Sequence, residues 1–204
     1  DHLWPMGRPD RPALAPFPML GALATSTSAL FLGTLVARIG IVPDATLVGE
    51  FCALEHLAPG RIIAGIGTGD HLSFNENRAY GIVVDPADER RGTVGDCARS
   101  LKACGLPVWI GGLAAETVRV AEEVGVPVNF WQTGPGRVAD QATRSEVTWA
   151  GMARPGGGGG EDLDADGLLE VARPIAGAGA SWLVFGWPIR LSALGEASEA
   201  LRRD

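Results

Sequence analysis

The chain has 204 residues, 46% of them hydrophobic and 20% charged, which suffices for one large domain or two small ones and is not the composition of a disordered chain. A formal net charge of −7 opposes a phosphate backbone, and Gly, Pro or a charge interrupts every apolar run before the roughly 18 residues of a bilayer span. Nucleic-acid partners and a membrane span are therefore not expected. Three cysteines, Cys52, Cys97 and Cys104, form no CxxC pair and read as reduced, buried thiols, which fits the cytoplasm and gives no metal site.

The chain opens Asp1-His2-Leu3-Trp4, with neither an initiator methionine nor a signal segment, so it reads as processed or as a piece. A short helix fits Phe17 to Thr27, and the apolar run Ala29 to Ala37 reads as the first strand. In Asp44 to Ala58, Leu47, Phe51, Leu54 and Ala58 share one helical face, Asp44 suits the cap and Pro59-Gly60 stops the helix. Strand Arg61 to Gly67 and a polar loop follow, then a helix over Asp88 to Cys104 and strand Pro107 to Gly111. Helix Ala115 to Val124 leads to strand Val126 to Trp131, and Glu146 to Ala150 is the next strand. The last pieces are helix Asp164 to Ala176, kinked or shortened by Pro174, strand Ser181 to Trp187 and helix Ser192 to Arg203.

The six strands are hydrophobic throughout, as parallel strands covered on both faces are, and their alternation with helices predicts a parallel α/β architecture. An open doubly wound sheet and a closed (β/α)8 barrel both fit that alternation. The string Gly65-Ile66-Gly67-Thr68-Gly69-Asp70 has the wrong spacing for the GxGxxG of a dinucleotide fold, which disfavours the first. Glycine is about 14% of the chain, against a usual value of roughly 7%, and five glycines form the run Gly156 to Gly160.

Five strings stand in a telling order: Asp1-His2-Leu3-Trp4, Leu32-Gly33-Thr34-Leu35-Val36, Leu57-Ala58-Pro59-Gly60-Arg61-Ile62, Gly65 to Asp70, and Pro107-Val108-Trp109-Ile110-Gly111-Gly112. In this order the chain resembles the luciferase-like oxidoreductases, and within them the branch that uses the deazaflavin coenzyme F420. The resemblance is dense from Asp1 to about Trp131 and thinner beyond. It implies a single (β/α)8 TIM-barrel domain over 1–204, with a flavin or deazaflavin across the C-terminal mouth.

Matched in order, the six strands become strands three to eight of that barrel, and strand one, helix one and strand two are lacking. The chain is thus read as N-terminally truncated, because a βαβ unit takes about 30 residues. Such a chain is expected to aggregate or pair, and a homodimer is left open. Relatives also carry a long excursion before the PVWIGG strand, where Gly105-Leu106 joins helix to strand directly, which implies a smaller or more open substrate pocket.

The resemblance also implies site residues. His2 and Asp70 are the catalytic candidates, since imidazole and carboxylate can each exchange a proton as hydride moves. The plainer readings are a frayed terminal histidine and a helix N-cap. Asp1 would orient His2. Thr34, Leu35 and Val36 would back the cofactor ring around a cis Leu35–Val36 bond, a trans bond being the alternative. Gly67, Thr68, Gly69 and Ser73 would approach the cofactor, with Glu76 and Asn77 continuing that loop. Gly111, Gly112, Leu113 and Ala114 lead into a helix N-terminus that would hold the cofactor phosphate, with a hydroxyl from Thr117, or form a plain strand-helix turn.

Trp4, Trp131 and Trp187 would line the substrate pocket or simply pack. The glycine run after Glu146 to Ala150 reads as a mobile connection or lid. The implied function is hydride transfer between F420 and a small organic substrate. An FMN-dependent monooxygenase acting with oxygen and an inactive truncated barrel are the alternatives.

Overall fold

The computed structural model describes residues 1–5, 8–154 and 159–203. The chain divides into two compact units, Asp1–Val126 and Pro127–Asp204.

In the first unit, helix α1 (Pro16–Ser26) precedes two short strands, β1 (Leu32–Gly33) and β2 (Ala37–Arg38). The single strand expected over Ala29 to Ala37 is thus broken: between its halves the chain leaves the ladder, and the Leu35–Val36 bond is cis, as the resemblance implied. Helix α2 (Asp44–Leu57) buries Leu47, Phe51 and Leu54, the face read from the sequence. Its cap is a correction: Pro43 occupies the N-cap, and Asp44 is the first helical residue, where its carboxylate still faces the positive helix end.

Strand β3 (Ile62–Gly67) is buried at every position. It pairs in parallel with β1 and β2 on one side and with β4 (Val108–Gly111) on the other. Between β3 and β4 lie a single 3-10 turn (His71–Ser73), helix α3 (Phe74–Ala79) and helix α4 (Ala87–Ala103). The turn and α3 fall in what reads from sequence as a polar loop. Helix α5 (Ala115–Val124) has the expected bounds and ends on Gly125 in the left-handed conformation, which glycine adopts without a Cβ clash. Phe51, Ile62, Ile66, Val94, Leu101 and Ile110 form the centre of this unit's core.

The second unit runs β5 (Val128–Trp131), α6 (Pro135–Ala142), β6 (Val147–Gly151), α7 (Ala165–Gly177), β7 (Ala180–Phe185) and α8 (Leu191–Leu201), with β5, β6 and β7 parallel. Helix α6 lies in a stretch where the sequence predicts no element; Pro135 starts the helix, where its missing N–H costs nothing. Helix α7 runs through Pro174 to Gly177, longer than the sequence suggests, and is capped by Asp164, whose Oδ1 accepts from Gly167 N at 3.0 Å. Strand β7 departs from the expectation of cover on both faces, since Ser181 and Trp182 are exposed. Leu168, Leu169, Ile189, Ala193 and Ala197 pack together where α7 meets α8.

Two further corrections concern side chains. Trp187 lies beyond the end of β7 and is 73% exposed, so it is not a strand residue. Of the cysteines, only Cys97 is buried, Cys52 is half-buried and Cys104 is exposed at the end of α4, where the chain turns back to solvent. Burial and then the neighbouring Cys104 thiol push Cys52 up to about 11. The lid reading falls mostly on residues 155–158, outside the described residues; Gly160 bridges to Ile189. Among the described residues no helix is long and apolar enough to cross a membrane.

Candidate functional site

The C-terminal ends of the central strands in the first unit meet in one register row, with Arg38 of β2 beside Gly67 of β3 and Gly67 beside Gly111 of β4. This row places the loops that carry the candidate residues. The glycines are required by close packing. A Cβ at Gly67 would stand 2.7 Å from Val36 Cγ2, and one at Gly111 would stand 2.7 Å from Val36 Cγ1. One valine side chain thus occupies both gaps. Gly69 gives way to Arg38 Cδ in the same manner, and Gly112 to Thr117 Cγ2. The close approaches that the sequence suggested for a cofactor are therefore taken at these four glycines by the protein's own side chains.

Arg38 is the hub. It is 7% exposed, and such a charge is tolerated only when paired. Its Nε donates to both carboxylate oxygens of Asp1 at 3.2 Å, Nη1 donates to Asn77 Oδ1 at 3.1 Å, and Nη2 donates to Glu76 Oε1 at 3.2 Å. The Arg38 backbone N–H also donates to Asp1 Oδ2.

Glu76, on α3, is 3% exposed. Its Oε1 accepts from the Leu3 backbone N–H, and its Oε2 lies 2.8 Å from His2 Nδ1. Burial pushes the Glu76 carboxyl up, but the His2 and Leu3 hydrogen bonds and the Arg38 charge outweigh it, and the net displacement is downward. An ionised carboxylate only accepts, so the proton between the two groups sits on Nδ1 and the Nε2 edge of His2 is left for other partners. The His2 side chain is 34% exposed. Trp4 packs on Tyr80 with ring centroids 5.8 Å apart, and the Tyr80 hydroxyl donates to Leu3 O at 3.4 Å.

On the other side of Arg38 a cavity of about 500 Å³ opens. Its rim is polar, from Thr68, Asp70, His71, Asn77 and Arg90, and Ile39, Ile41, Ile82 and Val83 supply an apolar wall. Arg90 closes one end by donating through Nε to Asp85 O at 3.1 Å and through Nη1 to Thr68 O. Asp70 does what its plainer reading predicts. Its Oδ1 accepts from Leu72 N at 2.9 Å and Ser73 N at 3.1 Å, capping the turn, while the residue as a whole stays exposed on the cavity wall. The Ser73 hydroxyl points to that same Oδ1, at 3.3 Å, and the side chain is buried.

The structure thus brings Asp1, His2 and Trp4 together with Glu76 and Asn77, and puts Thr68, Gly69 and Asp70 on the neighbouring cavity. Thr34 is buried and its hydroxyl donates to Gly65 O at 2.5 Å, whereas Leu35 is 41% exposed beside it. Gly111 to Ala114 lie at the start of α5, where Ala114 is the N-cap residue without a side-chain cap. Trp131, 51% exposed at the end of β5, and Trp187 belong to the second unit. Sequence reasoning missed Arg38, Tyr80 and Arg90. The signal for Arg38 was present as a lone arginine inside the apolar run Leu35-Val36-Ala37-Arg38-Ile39.

Comparison with known proteins gives likenesses of family, of sequence and of structure. The sequence profile of the family described as luciferase-like monooxygenase matches residues 1–105. The F420-dependent glucose-6-phosphate dehydrogenase of Kineococcus radiotolerans is 30% identical over 184 residues, covering 85% of this chain and 51% of that protein. The chain therefore spans about half the length of that curated relative.

Among solved structures, an F420-dependent secondary alcohol dehydrogenase in complex with an F420-acetone adduct superposes with a TM-score of 0.72 at 12% identity, over 91% of this chain and 82% of that one. The monooxygenase RslO1 from Streptomyces bottropensis superposes with a TM-score of 0.70 at 14% identity, over 92% and 80%. At such identities the likeness establishes the fold, and it agrees with the parallel α/β architecture of the (β/α)8 type expected from the sequence.

Proposed function

The chain belongs to the luciferase-like monooxygenase family, and from that premise we propose that it moves a hydride between the deazaflavin coenzyme F420 and a small organic substrate. The observation that carries this reading is the His2–Glu76 pair, which leaves one imidazole nitrogen unpaired among the described residues and is tied through Glu76 to Arg38, a residue that lines the cavity. The cavity, with an apolar wall and a polar rim, suits part of a flat heteroaromatic ring with a polar tail, so these residues fit such a cofactor.

When bound, F420 supplies a two-electron centre that exchanges hydride. The protein's part is to orient the substrate and to handle the accompanying proton. His2 Nε2 takes the substrate proton in oxidation and returns it in reduction, with Glu76 holding the ring and stabilising the imidazolium. Asp70 stands ready at the cavity wall as a second acceptor. The backbone of Thr34, Leu35 and Val36 would support the ring, the turn of Gly67, Thr68 and Gly69 with Ser73 would border the tail, and the N–H groups around Gly111 to Ala114 would receive its phosphate. Trp4 is the aromatic candidate of this unit against the substrate. The second reading, an FMN-dependent monooxygenase acting with oxygen, draws on the family's description as luciferase-like monooxygenase.

The test is fluorescence titration of the purified chain with F420 and with FMN, followed by turnover assays. Glucose 6-phosphate and a secondary alcohol, the substrates in the relatives' names, are the first hydride donors to assay. Saturable F420 binding without FMN binding is expected, and His2→Ala should lower turnover by about 100-fold or more while binding persists. Binding of FMN alone overturns the hydride-transfer reading in favour of the monooxygenase, and binding of neither favours an inactive barrel.

A further inference from the structure

We propose that Arg38 is a positioning residue for His2, acting through Glu76: its guanidinium holds the buried carboxylate ionised and in place, so that the imidazole keeps its proton on Nδ1 and presents Nε2 to its ligand. The inference rests on the reading of His2 as the ligand-facing group, but its test does not require cofactor or substrate.

Three observations support it. Among the described residues every side-chain hydrogen bond of Arg38 falls inside the cluster: to Asp1 on the chain leading to His2, and to Glu76 and Asn77 on α3. One planar cation therefore ties the segment carrying His2 to the helix carrying its carboxylate partner. Glu76 is almost fully buried and, with Arg38 removed, its desolvation would be opposed by the His2 and Leu3 hydrogen bonds and the His2 charge, without the guanidinium. The small residue at Gly69 clears the path of the Arg38 side chain, since a Cβ there would meet Arg38 Cδ at 2.9 Å and Cγ at 3.2 Å.

Among the described residues the charged and titratable groups facing the pair are Asp1, through its carboxylate and its amino group, Arg38 of β2, and Tyr80 at the end of α3, whose hydroxyl is turned to Leu3 O. Free imidazole prefers its proton on the other nitrogen, so an Nδ1–H form at His2 has to be imposed. An anionic carboxylate at 2.8 Å imposes it, whereas a neutral acid or amide, which can donate as well as accept, does not.

The experiment is NMR of the chain: ¹⁵N spectra of the histidines at mildly alkaline pH, which read the tautomer, and ¹³C titration of the glutamate carboxyls. In the wild type His2 is expected in the Nδ1–H form and the Glu76 carboxyl below 4.5, its ordinary value. Arg38→Met should move the Glu76 midpoint up by on the order of one unit, the size of the effect of one nearby opposite charge. Arg38→Lys, which keeps the charge, should move it less than half as far. Glu76→Gln should abolish the excess of the Nδ1–H form at His2.

A Glu76 midpoint in Arg38→Met equal to that of the wild type overturns the proposal, as does an Nε2–H form of His2 in the wild type. Should Arg38→Met not fold, Arg38→Gln, neutral but still a hydrogen-bond donor, carries the same expectation. Failure of F420 to bind would leave these spectra unchanged, so the two readings fail separately.

Discussion

Replacing Gly65 by alanine should be among the most damaging single-methyl changes in this chain. Gly65 lies in the middle of β3, and a Cβ there would stand 2.0 Å from Thr34 O and 3.1 Å from Thr34 C. That is roughly 1.5 Å short of the about 3.5 Å at which non-bonded heavy atoms settle. The obstacle is backbone and cannot rotate away, so the 34–36 segment has to lift off β3. Overpacking of this kind costs about 1 to 3 kcal/mol, and loss of the buried Thr34 hydroxyl bond to Gly65 O adds about 1 kcal/mol. For a chain of this length a loss near 3 kcal/mol lowers the melting temperature by roughly 6 to 12 °C.

The comparator is Gly49→Ala on the exposed side of α2, where a Cβ meets nothing within 4 Å. There alanine is favoured by about 0.5 to 1 kcal/mol, and the melting temperature should rise. Thermal unfolding followed by circular dichroism at 222 nm compares the three proteins. If Gly65→Ala melts within about 1 °C of the wild type, the contact between the 34–36 segment and β3 is not as tight as described and the reasoning fails.

Two other outcomes follow from single side chains. The Glu76 carboxyl is held below its ordinary 4.5, so its contribution to stability is fully present above that pH and is lost as pH falls through the lower folded value. The margin between wild type and Glu76→Gln, about 3 kcal/mol at neutral pH, should therefore shrink on acidification below 4.5; melts at graded pH that show a constant or widening margin contradict this. Asp164→Ala removes the cap bond to Gly167 N and should cost about 1 kcal/mol, whereas Asp44→Ala, which breaks no cap bond, should cost less; equal losses in denaturant titrations would refute the assignment.

Much of the fold was legible in the sequence because long periodic segments declare themselves. The buried face of α2, the bounds of α5 and the uninterrupted burial of β3 all follow from residue pattern. The Ala29 to Ala37 run misled because hydrophobicity records burial and not pairing. Its ends join the ladder while Thr34 is buried and Val36 half-buried against β3, with Leu35 exposed between them, without extending the strand. Helix α6 begins at Pro135 in a stretch where the sequence predicts no element.

At the site, pattern and resemblance picked out His2 and Asp70, but the partners that define His2 lie far along the chain. Glu76 is 74 residues away and Arg38 stands 38 residues before Glu76, and no local rule couples such positions. The role of the glycines was also out of reach. A glycine signals a close approach without saying whether ligand or protein makes it.

The seating of Val36 on Gly67 and Gly111 also constrains how this protein can change over generations. A larger residue at either glycine is tolerable only after position 36 has shrunk, and a shrunken position 36 leaves two holes that both call for filling. The order of substitutions is thereby restricted, since the intermediate with one position altered is the disfavoured step. Residues from three separate stretches of the chain are bound into one heritable unit that must be exchanged together or kept.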